Sequence, residues 1–129
     1  MQQNAGLDGL WLQMDDYNGR PRSIIRMRAE GKRVTGVVEE IFRPSGSNEP
    51  RCNSCLGNNA GKPITGMQIL SVSQTAAGEW DGEIFDPASG RNYKCRLELA
   101  PGGVLLNVRA FIAISMIGRS QRWLRYGSL

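Results

Sequence analysis

Residues 79–99, EWDGEIFDPASGRNYKCRLEL, change side-chain character at every step on both sides of one short turn. Trp80, Gly82 and Ile84 alternate with Asp81, Glu83 and Phe85; after the turn, Tyr93, Cys95, Leu97 and Leu99 alternate with Asn92, Lys94, Arg96 and Glu98. A period of two is what a half-buried strand requires. Between the runs, the Asp86 carboxylate is placed to cap the turn, Pro87 presets φ, and Gly90 can take the left-handed position that closes it. The segment predicts a β-hairpin, and a chain built around a hairpin must find it further strands.

Those strands are legible on both sides. Residues 7–15 set Leu10, Leu12 and Met14 against Gly9, Trp11 and Gln13, ahead of the turn formers Asp16, Asn18 and Gly19. Residues 23–29 and 33–42, joined at Gly31 and Lys32, are rich in Val, Ile and Thr and predict a second hairpin. Residues 66–74 lead into the central hairpin. Pro101, Gly102 and Gly103 turn the chain into residues 104–114, residues 115–118 turn again, and residues 119–126 form the last strand. About eight short strands joined by short turns predict an all-β, antiparallel up-and-down barrel, because closure leaves no exposed edge. A length of 129 residues suits one domain, residues 1–129.

Residues 44–63 interrupt this rhythm with Pro, Gly, Ser and Asn, a loop long enough to expect a role of its own. It holds Cys52 and Cys55. A catalytic dithiol would sit at a helix N-terminus, but a loop follows here, and a structural zinc site wants four ligands, which three cysteines without histidine do not supply. The expected state is a Cys52–Cys55 disulfide stapling the loop in an oxidising compartment, with Cys95 inside the barrel as a small apolar residue. Three cysteines nevertheless permit three single bridges. Gly57 to Lys62 has only three residues between its glycines and is followed by Pro63, so it is not a phosphate-binding loop.

The absence of histidine removes the commonest general base and the commonest nitrogen ligand. No enzyme activity, metal or cofactor is expected. Arg supplies thirteen of the sixteen cations, six cations fall between residues 20 and 33, and Arg119, Arg122 and Arg125 form a second group. Such groups could attract phosphate, but Arg on the wet face of a sheet also discourages edge pairing, and no nucleic-acid partner is expected. The acidic set Glu79, Asp81, Glu83 and Asp86 is expected to solvate the sheet. No run reaches the roughly 20 apolar residues of a membrane helix, and residues 1–6 show no signal peptide. Trp11, Trp80, Trp123, Tyr93 and Tyr126 could either line a cavity or fill a core, since an eight-stranded barrel allows both.

Gly9-Leu10-Trp11 resembles the G-x-W signature of lipocalin-type barrels, in which an Arg from the last strand packs across the Trp. Arg122 or Arg125 could play that part. With Cys52-x-x-Cys55-x-Gly57, Gly66-Met67, the motif from Trp80 to Leu97, Val108-Arg109, and Gly118-Arg119-Ser120-Gln121-x-Trp123-x-Arg125, the series resembles the exported bacterial family filed as domain of unknown function 2147. The resemblance implies a lipocalin-like barrel and a periplasmic or secreted location, with no established activity. Where members commonly have two glycines in the penultimate strand, this chain has Ala110 and Ala113, which narrows the space beside it.

The leading expectation is a monomeric, exported barrel that binds a small apolar or amphipathic molecule. Trp80, Ile84, Tyr93, Cys95, Val108 and Ile112 are its expected inward wall, with the long loop as gate and Gly9, Trp11 and Arg122 or Arg125 as its closure. The alternative is a protein-interaction module with a side-chain-filled barrel, acting through its Arg-rich face or the Cys52–Cys55 loop.

Overall fold

In the computed structural model, which describes residues 6–111 and 118–127, the alternating segments form eight antiparallel strands. They are β1 (Gly9–Met14), β2 (Pro21–Glu30), β3 (Arg33–Ile41), β4 (Gln68–Ala76), β5 (Glu79–Asp86), β6 (Arg91–Leu99), β7 (Leu105–Phe111) and β8 (Gly118–Gly127). Each pairs with the next, and β8 pairs back onto β1, so the barrel is closed. The only helical turn among the described residues is a 3₁₀ piece at Gly57–Asn59.

The central hairpin forms as its alternation requires. Its register runs unbroken from Glu79 opposite Glu98 to Asp86 opposite Arg91. The turn uses the expected residues: the Asp86 carboxylate accepts from the Ala88 N–H at 3.1 Å and the Ser89 hydroxyl at 2.9 Å, and Gly90 sits at φ +74°. Outside, Asp81 pairs with Arg96 on the neighbouring strand. That guanidinium holds the Asp81 carboxyl below its ordinary value, first by its hydrogen bond and then by its charge. Inside, Trp80, Cys95 and Leu97 are buried.

Among the register shifts of the ladder, two re-aim core side chains. In β3 an extra residue at the Ile24/Ile25 step shifts the phase, so Val34, Val38 and then Ile41 turn inward. In β4 the matching shift buries consecutive Ile69 and Leu70. A bulge bends its strand and re-aims the following side chains, and both bulges flank the same end of the barrel. In β1 the inward face is Trp11 and Gln13. Leu12 faces out, opposite Ile24 on β2 and Leu124 on β8, which in turn opposes Leu105. That exterior apolar row explains why β1 has apolar residues at both phases.

The barrel is filled at one end. Trp11, Ile25, Met27, Leu97, Leu106 and Trp123 are essentially without solvent exposure, and Trp80, Val72 and Cys95 pack with them. Burial pushes the Cys95 thiol up to about 12, with the charges of Asp81 and Glu83 adding to the effect. All three tryptophans therefore belong to the core, whereas Tyr126 is exposed.

Candidate functional site

Arg125 seals the filled end. Its guanidinium lies 4.4 Å from the centroid of the Trp11 ring, while Nε donates to the Gly103 carbonyl at 2.8 Å, Nη1 to Asp8 at 2.9 Å and Nη2 to Gly6 at 2.7 Å. The Trp11 indole N–H donates to the Leu7 carbonyl at 2.9 Å. One cation thus ties the segment before β1 and the β6–β7 turn across the barrel end, with an attraction to the ring face added. A Cβ on Gly9 would lie 2.6 Å from the Gly127 carbonyl oxygen, and φ there is +128°, so the residue two before Trp11 must be glycine. Of the two arginines expected at this closure, Arg125 occupies it; Arg122 is exposed on the outer face, opposite Asn107.

The other half of the barrel is hollow. A cavity of about 540 Å³ opens at the end bearing the β1–β2 and β5–β6 turns and the long loop. One side is apolar: Val38, Ile41, Ile69, Ile84, Phe85, Tyr93, Val108, Ala110 and Phe111, from β3 to β7. The opposite side is polar, with Gln13 on β1, Ser23 on β2 and Gln121 on β8, and Arg22 and Arg119 stand at the rim. Ser23 is the buried polar residue of the described chain.

Of the expected inward wall, Ile84, Tyr93 and Val108 line this cavity. Trp80 and Cys95 do not: they lie in the filled half, where they pack against other core side chains. Ile112 falls outside the described residues, as does Ala113. Ala110 does line the cavity, and its methyl group leaves the volume above open. Among the described residues, side chains therefore do not fill the barrel throughout. The polar side was not anticipated. Its signal was available, because Gln13 shares the phase of Trp11 and Gln121 the phase of Trp123, so each is a polar residue on the inward face of its strand.

The long loop, residues 42–67, folds over part of the mouth. It doubles back through the Arg51–Pro63 bridge, with the Cys52 N–H donating to Lys62 at 2.8 Å and the Ile64 N–H to Pro50 at 3.1 Å. Cys52 and Cys55 form the expected disulfide and are buried, and Cys95 is a free buried thiol. The Cys52 sulfur lies 3.5 Å from the Pro87 carbonyl oxygen, and a Cβ on Gly90 would lie 2.1 Å from that of Ser54, so the loop rests directly on the β5–β6 turn. Pro50 and Ile64 reach from it into the cavity wall.

The two Arg groups are dispersed by the fold. Arg26 pairs with Glu39, and Arg119 pairs with Asp16 at 2.6 Å across the rim. The Arg119 guanidinium holds the Asp16 carboxyl below its usual range, chiefly through that hydrogen bond. Among the described residues, no group of His, Cys, Asp and Glu could hold a metal ion, and no helix is long and apolar enough to cross a membrane.

An eight-stranded antiparallel barrel, closed at one end by a Trp–Arg pair and hollow at the other, has the lipocalin-like architecture. The chain belongs to the family described as "Uncharacterized protein conserved in bacteria (DUF2147)", whose model matches residues 9–125. Among solved structures it is similar to "Protein HP1028 from the human pathogen Helicobacter pylori belongs to the lipocalin family", with a TM-score of 0.79 and 12% identity over 96% of this chain and 85% of that one. At that identity the likeness concerns the fold. No curated protein matches the chain.

Proposed function

We propose that this protein is a non-enzymatic, exported barrel that holds a small apolar or amphipathic molecule in its hollow half. The observation that carries this reading is the cavity of about 540 Å³ with a continuous apolar wall from β3 to β7. Small-molecule sites are typically clefts of roughly 300–1,000 Å³ lined by apolar side chains with a few placed polar groups. The buried disulfide supports export, since such bonds persist in oxidising compartments. A closed barrel has no free strand edge to pair with another chain, which supports a monomer.

The test is titration with a fluorescent dye that brightens in apolar surroundings. Ala110→Trp places an indole in the cavity, and Tyr93→Ala removes part of its wall. Both should weaken dye binding at least tenfold while shifting the urea midpoint little, and Arg28→Ala, on the exposed outer face, should bind as the parent does. Equal dye affinity in all four proteins, or no dye binding by the parent, would overturn the reading. Native mass spectrometry of the exported protein, repeated after denaturation without reductant, would then identify any molecule carried from the cell.

A further inference from the structure

The hydrogen bonds along the polar side of the cavity run in one direction. The Trp123 indole N–H can only donate, and it lies 3.0 Å from the Gln121 amide oxygen, Oε1. That contact fixes which way the Gln121 amide faces. The same Oε1 accepts from Gln13 Nε2 at 3.3 Å, so Gln13 in turn directs its own oxygen toward Ser23, whose hydroxyl donates to it at 2.5 Å. Both amide oxygens and the serine hydrogen are therefore used within the protein. The hydrogens left over are one on the Gln13 amide nitrogen and one on that of Gln121, whose other hydrogen faces the Asp16 carboxylate that Arg119 pairs with. Arg22 adds donors at the rim, and among the described residues no carboxylate lies within ion-pair distance of it.

We infer that the molecule held in this cavity is an amphiphile whose polar end is an oxygen acceptor, an acyl carboxylate above all, set against the amide nitrogens of Gln13 and Gln121 with its apolar body along Ile69, Ile84, Tyr93 and Val108. The inference rests on the binding function proposed above. The N–H hydrogens left on Gln13 and Gln121, with Arg22 and Arg119 at the rim, reward an acceptor and leave a cation facing hydrogens of like polarity. Low dielectric raises the cost of that mismatch. The apolar side, up to four strands away around the closed barrel, can receive the body without displacing any of these hydrogen bonds.

The probes are decanoate, decylammonium and decane-length neutral alcohol, each competing against the dye at 0.15 M salt, where charges more than about 8 Å apart are screened. Decanoate should bind at least tenfold tighter than decylammonium. Gln13→Leu removes one nitrogen donor and should cost decanoate about tenfold, on the scale of one hydrogen bond to a charged group, with the alcohol changed far less. Gln13→Glu keeps an acceptor for Ser23 but replaces the donor, and should reverse the order of decanoate and decylammonium. If all three probes fail, the binding function itself is wrong. If they bind but decylammonium equals or exceeds decanoate, or if neither Gln13 variant alters the ratio, the cavity binds ligands and the assignment of its polar wall is overturned.

Discussion

Each nitrogen of the Arg125 guanidinium donates to a different backbone carbonyl, and its face covers Trp11. Burial lowers its pKa from the ordinary arginine value, with the nearby Asp8 charge acting the other way. A cation–π contact contributes about 0.5–2 kcal/mol, and hydrogen bonds from a charged group about 1.5–3. Since these carbonyls can turn to water once released, Arg125→Ala should destabilise the barrel by about 2–3 kcal/mol in urea unfolding. Arg125→Lys keeps charge but not the planar fork, and should recover less than half of that. Full recovery by lysine would mean that charge alone closes the end. At this scale the sequence was informative where one residue type has one use: Gly9, Trp11, Asp86 and Gly90 take the places their chemistry implies. It was ambiguous where two arginines shared a neighbourhood, because only the strand phase separates inward Arg125 from outward Arg122.

Among the elements, the β5–β6 hairpin was legible because nothing interrupts its period, and its ladder runs without a shift. The β3 and β4 segments were less so. Their bulges turn Ile41 inward and bury Ile69 beside Leu70, changes that depend on pairing with neighbours rather than on either strand alone. The loop over residues 42–67 shows the same limit: its composition marks it as irregular, but its seat on the β5–β6 turn is a tertiary contact. Its stability is therefore local. A disulfide between residues three apart closes a very short ring and contributes on the order of 2 kcal/mol through the unfolded chain. Reduction should free the loop while the barrel's ladder persists. Hydrogen exchange at the Cys52, Gly61 and Ile64 amides, all bonded within the loop, should accelerate at least tenfold on reduction, with exchange in β5 and β6 unchanged. Uniform acceleration through every strand would show that the disulfide supports the whole barrel instead.

At the scale of the whole molecule, one continuous wall encloses a packed half and an empty half, and equal truncations should cost different amounts in each. Leu97 on β6 is fully buried among core side chains. Leu97→Ala removes its transfer energy and leaves a new void, since the surrounding tryptophans can relax only in part; the expected loss is about 3–4 kcal/mol. Ile84 on β5 also faces inward, but it is only partly buried and already borders the cavity. Ile84→Ala widens an existing space and forfeits mainly the transfer of atoms that were half in contact with it, an expected loss of about 1–2 kcal/mol. The two losses should separate in urea unfolding with a common m-value. They should also separate in binding, because enlarging the cavity changes the wall that meets a ligand, whereas a void beneath the packed tryptophans does not reach it. Equal losses at the two positions would mean that the cavity collapses around Ile84 in solution, and the hollow half would then be no larger than its occupants make it.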